Sequence, residues 1–261
     1  MDRKIIENAV MTNLVFKSAL VLNPETTSMS FSINRISGEF WASTKRDIHF
    51  GGLYSLAASG EDDSEQHDSC RQKVFRPCNV VELYEKLSVL GLQYGNAFKL
   101  LQDLWLGEKL TAVGKIHSSP QSNDYLHDPA VLDAALHVVA GRDLVCKTER
   151  GEKPSSEIPV SLEVYSCSTL SSSGTAFALA SQKETDGSEA SSNDLLMTSL
   201  SGRCLARIES LRGYAVKSRT QGATRVDTKA NYMYTVSWLC EQYSESSIKH
   251  VPESLLSFSR K

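Results

Sequence analysis

The sequence has no apolar run near the roughly 20 residues needed to cross a bilayer, so no membrane span is expected. It has no surplus of positive charge: 28 Lys and Arg stand against 31 Asp and Glu, for a net charge of −3. That balance gives no basic face for nucleic acid or an anionic membrane, and neither is expected as a partner. The first residues, Met1-Asp2-Arg3-Lys4-Ile5-Ile6-Glu7, lack the apolar core of a signal peptide. The six cysteines (Cys70, Cys78, Cys146, Cys167, Cys204 and Cys240) form no C-x-x-C pair. They read as scattered free thiols in a reducing, cytoplasmic setting, so neither a zinc site nor a disulfide framework is expected.

What is present is enough apolar material for a core: 41% of 261 residues, which fits one large domain or two joined halves. The chain is organised around Asp128-Pro129-Ala130-Val131-Leu132-Asp133-Ala134-Ala135-Leu136-His137-Val138-Val139-Ala140-Gly141. Asp128 suits an N-cap, Pro129 the first helical position, and Gly141 the position just past the end. Between them nearly every residue is apolar, which predicts a helix with no wet face, buried on all sides. Two polar residues interrupt it, Asp133 and His137, four apart and on one face. A carboxyl group so enclosed is costly to ionise and is expected to titrate high, as a general acid requires. Two readings of Asp133 fit the residues alone: a general acid, or a structural carboxyl holding a nearby loop.

Residues 1–59 read as strands, at Leu14–Phe16, Ala19–Leu22, Met29–Ile33, Phe40–Ser43 and Ile48–Leu56. Gly51 and Gly52 suggest a bulge or a close backbone approach in the last of these. Residues 60–78 open on an acidic, aperiodic stretch and read as a linker. An amphipathic helix follows, capped by Asn79 and Gly91, with Val80, Leu83, Tyr84, Leu87 and Leu90 as its apolar stripe. Gly91-Leu92-Gln93-Tyr94-Gly95-Asn96-Ala97-Phe98 is a glycine-bracketed turn that aims Tyr94. A strand pair over 100–106 and 110–116 leads to the central helix. Beyond Gly141 a charged loop is expected over 147–157, then strands at 158–164, 176–180, 195–200 and 203–216, joined by Ser-rich loops at 168–173 and 183–193. One buried helix among many strands predicts an α+β hotdog, a curved antiparallel sheet wrapped on a central helix.

Three segments resemble the dehydratase domain of modular (type I) polyketide synthases. Gly91 to Phe98 is similar to that family's G-Y-x-Y-G-P-x-F, Asp128 to His137 to its H-P-A-L-L-D-A-A-L-Q/H, and Ile158-Pro159-Val160-Ser161-Leu162 to its L-P-F-S-W. The closing strand from Gly202 to Leu211 also matches, and the resemblance spans about residues 8–217. It implies a double hotdog: a partial N-terminal hotdog over 1–59, a linker over 60–78, a C-terminal hotdog over 79–217 bearing the helix, and a linker toward a following domain over 218–261. It implies removal of water from a β-hydroxyacyl thioester held on an acyl carrier protein, giving an α,β-unsaturated chain. No cofactor is implied beyond the carrier's phosphopantetheine arm. By position Asp133 is the acid and His137 its supporting residue. Tyr94, Gly95, Phe98, Pro129, Leu132 and Pro159 fall at positions around the pocket. Neighbouring synthase domains and a homodimer within the full synthase are the implied partners.

The family's base, a His within H-x-x-x-G-x-x-x-x-P, has no counterpart in the chain. The first hotdog is expected to lack its helix and catalytic loop, leaving an N-terminally incomplete domain with only the acid half of the site. His49 is a poor substitute, because a His on a strand is more often a satisfied structural residue. His127 is expected at the mouth of the helix. The competing expectation is a non-catalytic, degenerate module serving as scaffold or carrier-protein docking surface. A free-standing hotdog thioesterase fits the two-part layout less well.

Overall fold

The computed structural model describes residues 8–18, 28–45, 47–56, 72–118, 128–155, 157–168, 174–183 and 192–215. The chain divides into two units, residues 1–221 and 222–261, and every described residue lies in the first.

Eleven strands are described. They are β1 (Asn8–Phe16), β2 (Ser30–Ile33), β3 (Glu39–Ser43), β4 (Ile48–Leu56), β5 (Val74–Cys78), β6 (Leu101–Gly107), β7 (Thr111–Ser118), β8 (Glu157–Ser168), β9 (Gly174–Lys183), β10 (Ser192–Ser199) and β11 (Cys204–Ala215). Two α-helices are described, α1 (Val80–Val89) and α2 (Pro129–Glu149), and a short 3-10 turn spans Asn96–Phe98. All eleven strands form one antiparallel sheet in the order β2-β3-β4-β1-β8-β11-β10-β9-β7-β6-β5. The N-terminal strands join the rest through β1 on β8, with Ala9 opposite Cys167 and Val15 opposite Ser161.

Among the described residues, the half-sheet β1–β4 carries no helix of its own. The other half carries α2, which packs on β6, β7, β9 and β10. Val131, Ala134, Ala135, Val138 and Leu144 of the helix meet a buried row from Leu104, Ile116, Ala178, Leu195 and Met197. Alternation along β9 sends Phe177 and Leu179 to the opposite face, into a smaller cluster with Val113 and Leu196. The helix sits close to the sheet because β7 has a glycine under it. A Cβ on Gly114 would lie 2.3 Å from Val138 Cγ2 and 2.7 Å from Leu101 Cδ1.

Three expectations need correcting. The central helix does not stop at Gly141 but runs on to Glu149, so the loop expected over 147–157 begins after Arg150, the observed C-cap. Gly141 is a packing residue, not a terminator. A Cβ there would stand 2.7 Å from Leu104 Cδ2 and 2.9 Å from Leu83 Cδ2, where α1 and β6 press on the helix. Second, the linker expected over 60–78 gives up its last five residues to β5, which pairs with β6. The strand character of Val74-Phe75-Arg76-Pro77-Cys78 is hidden by its Arg and Pro; as an edge strand it tolerates both.

Third, the helix is not enclosed all round. Leu132, Asp133, Leu136, Ala140 and Asp143 recur at helical spacing and are only half-buried, so one stripe reaches the surface. Most of that stripe is apolar, which is why it gave no sign in the sequence; apolar residues need not be buried.

Several local expectations agree with the structure. Asn79 caps α1 by accepting from Val81 N–H and Glu82 N–H. Asp128 caps α2 by accepting from Ala130 N–H at 2.8 Å. Gly51 and Gly52 mark a close approach: added Cβ atoms would lie 2.8 Å from the carbonyl oxygens of Phe40 and Thr12. The strand expected at 19–22, most of the Ser-rich loops, His127 and the segment 218–261 lie outside the described residues.

Candidate active site

The N-terminal half of α2, the helix α1 and the turn after it bring four polar side chains together. Asp133 and His137 project from one face of α2, as their spacing requires. His137 Nε2 and Asp133 Oδ2 are 3.1 Å apart. The imidazole is 1% exposed, while the side chain of Asp133 is 33% exposed. The carboxyl group therefore stands at the rim of the core with its histidine behind it, and not in the sealed interior that the apolar sequence predicts.

Behind His137 stands Tyr84 of α1. Its hydroxyl is 3.0 Å from His137 Nδ1 and accepts from Leu101 N–H on β6 at 3.4 Å. Its ring meets the imidazole edge-on, with centroids 5.5 Å apart and planes at 90°. Tyr94 covers the imidazole from the turn, with ring centroids 4.1 Å apart. Burial pushes the Tyr84 phenol up to about 12; Leu101 N–H opposes the rise and the charge of Asp133 adds to it. Tyr94 is likewise pushed up to about 12, first by burial, then by Asp133 and Tyr84. Both phenols are therefore protonated hydrogen-bond donors at neutral pH. Lys99 Nζ lies 5.8 Å from the centre of the Tyr84 ring and is a cation close to the cluster.

Tyr84 was hidden in the sequence, because it falls in the apolar stripe of α1 and reads as core. The available signal was its hydroxyl, which needs a partner once buried. The remaining candidates sit on the turn after α1, on α2 and on β8. Gly95 precedes the 3-10 turn, with nothing within 4 Å of where a Cβ would stand, and Phe98 closes that turn with its ring partly exposed. Pro129 opens α2 at the surface and Leu132 lies beside Asp133 on the half-open stripe. Pro159 sits on β8 opposite Gly213 of β11, where the register of the pair shifts. A proline has no N–H to give the ladder, and the shift absorbs that loss.

His49 is structural. It is 6% exposed, its Nδ1 lies 3.1 Å from Ser18 Oγ, and its Nε2 lies 3.2 Å from Thr44 Oγ1. Both ring nitrogens are engaged in pinning β4 to the neighbouring turns. His117 is exposed at the end of β7.

An antiparallel sheet laid on one long helix is the arrangement of a hotdog-fold protein. The model for the polyketide synthase dehydratase N-terminal domain matches residues 61–223, and the chain belongs to the polyketide synthase dehydratase family. The spectinabilin polyketide synthase system protein NorA′ of Streptomyces orinoci is 43% identical over 65 residues, 24% of this chain. The chain spans about 2% of that relative's length.

Among solved structures, the dehydratase domain from the CurK module of the curacin polyketide synthase superposes with a TM-score of 0.64 at 20% identity, over 81% of this chain and 77% of that one. Two inactive mutants of that dehydratase, one His-to-Phe and one Asp-to-Asn, superpose with TM-scores of 0.62 and 0.59. The pyran synthase domain from module nine of the sorangicin pathway matches with a TM-score of 0.64 at 16% identity, over 81% of this chain and 79% of that one.

Proposed function

We propose that this chain is the acid-bearing part of a dehydratase that removes water from a β-hydroxyacyl thioester carried on an acyl carrier protein. The observation that carries the reading is the Asp133–His137 pair on the half-open stripe of α2. In the elimination a base takes the α-proton, the C–H electrons become the Cα–Cβ double bond, and the C–O bond breaks. Asp133 gives its proton to the departing hydroxyl, which leaves as water. The carboxylate that results accepts from His137 Nε2–H, so the charge created on Asp133 is met by a donor already in place. Acid assistance of this kind typically contributes about 10²–10⁴-fold. Leu132 and Leu136 flank Asp133 and offer an apolar wall to an acyl chain, and Tyr94 is a second hydrogen-bond donor at the edge of the site. The inactive Asp and His mutants of the curacin relative are consistent with a two-residue chemistry in the family.

The base half has no candidate among the described residues, since His49 is held by Ser18 and Thr44 and His117 is exposed. Because the family's H-x-x-x-G-x-x-x-x-P is also missing from the sequence, the chain alone is expected to lack turnover and to need a base supplied by the wider synthase. No cofactor is invoked beyond the carrier's arm. Neighbouring synthase domains, a homodimer and a cytoplasmic setting belong to the same reading. A second reading, a degenerate module that only docks carrier protein, draws on the same missing base motif. The test is mass-spectrometric assay of a 3-hydroxyacyl carrier protein with the isolated chain and with the synthase polypeptide that carries it. Loss of water with the synthase and not with the chain is the expected result. No loss of water with either would reject the dehydratase reading in favour of the docking module.

A further inference from the structure

The hydrogen bonds behind Asp133 leave little freedom for the proton on His137. Tyr84 is 8% exposed and its oxygen already accepts from Leu101 N–H. Its single hydroxyl hydrogen has His137 Nδ1 as the acceptor 3.0 Å away. If Tyr84 donates there, Nδ1 is bare, the ring proton is on Nε2, and Nε2–H donates to Asp133 Oδ2. In the reverse order Asp133 would donate to Nε2 and Nδ1–H to Tyr84. The Tyr84 hydroxyl hydrogen would then have to find a new acceptor at a buried position, which is costly.

We propose that Tyr84 is a positioning residue for the acid: by donating to His137 Nδ1 it fixes the ring proton on Nε2, so that Nε2–H holds Asp133 Oδ2 and leaves Oδ1 as the favoured seat of the reactive proton. This rests on the proposed acid role of Asp133 for its catalytic consequence, and on the hydrogen-bond geometry alone for the tautomer. A histidine acting only as packing would show no such preference. The relay runs from β6 through α1 to α2, so three elements that meet in the core jointly aim one proton at the surface.

The test is nitrogen NMR on the full chain with ¹⁵N-labelled histidine, His137 being assigned by the resonances lost in His137→Gln. In the wild type at neutral pH, His137 is expected to show a protonated Nε2 and a bare Nδ1. In Tyr84→Phe, which keeps the ring and removes the hydroxyl, the Nε2–H to Nδ1–H ratio is expected to fall by roughly 5-fold, the worth of one neutral hydrogen bond. Tyr94→Phe, which touches the imidazole without holding Nδ1, is expected to leave the ratio unchanged. A protonated Nδ1 in the wild type, an unchanged ratio in Tyr84→Phe, or equal changes in both variants would overturn the proposal. Should Tyr84→Phe fail to fold, the wild-type spectrum decides. The readout needs no turnover: the expected spectrum in a synthase that does not dehydrate would reject the function and keep the relay, and a dehydrating synthase with Nδ1–H would do the reverse.

Discussion

Replacing Arg142 by Met is expected to destabilise the chain more than any change at its surface. The side chain is 1% exposed in the C-terminal half of α2 and ties the helix to two other elements. Its Nη1 donates to Leu110 O at 3.0 Å in the turn before β7, and its Nη2 donates to Asn193 Oδ1 on β10 at 2.6 Å. Nε and Nη2 both donate to Asp143 Oδ1, at 2.9 and 2.6 Å. Met keeps most of the stem volume and removes every donor. Asp143 then remains as a carboxylate 26% exposed that has lost its nearest cation, and breaking a buried pair in this way typically costs about 3–5 kcal/mol. The lost bonds to Leu110 and Asn193 act on the same site and do not add in full. Urea unfolding followed by far-UV circular dichroism should show a midpoint shift of that size at unchanged slope. The double variant Arg142→Met with Asp143→Asn removes the stranded charge and should recover at least about 1 kcal/mol of the loss. A single-variant loss under about 1 kcal/mol, in the range of an exposed ion pair, would refute the reasoning.

Burial lifts the Asp143 carboxyl above its ordinary value of 3.8, with Arg142 opposing the rise. The unfolded chain then releases that proton first as pH climbs, so stability from this group is present below 3.8 and declines as pH rises through the folded value. Asp143→Asn should remove that decline, read as urea midpoints across the acid range. Gly114→Val should cost about 1–3 kcal/mol by urea titration, because the new side chain meets Val138 and Leu101 between sheet and helix. Gly141→Pro should cost about 3 kcal/mol or more, because α2 continues for eight residues past that glycine; a near-neutral result would mean that the helix ends there.

Most of the fold was legible because its signals are local. Alternation in Met29–Ile33 and Phe40–Ser43 pointed to strands, and Asn79 and Asp128 announced two helix starts that the structure bears out. What failed were inferences that needed a neighbour. Gly141 has the look of a terminator, and only the approach of Leu83 and Leu104 shows it to be a packing glycine. The open stripe on α2 was invisible because Leu132, Leu136 and Ala140 read as core whether or not something covers them. In the site, Asp133 and His137 could be paired by spacing within one helix. Tyr84 could not, since it reaches His137 across 53 positions of chain. The resemblance to dehydratases came from two short motifs, and it carried the family further than composition did.

The central claim is that Asp133 gives its proton to the leaving hydroxyl. The direct measurement is dehydration of a 3-hydroxyacyl carrier protein by the synthase polypeptide bearing this chain, wild type against Asp133→Asn, read by mass spectrometry as loss of one water. The substitution preserves the side chain's shape and an acceptor for His137 Nε2–H, so the fold should persist while product formation falls by at least about 10²-fold, the low end for losing a general acid. Wild-type turnover in the folded Asp133→Asn protein would contradict the assignment.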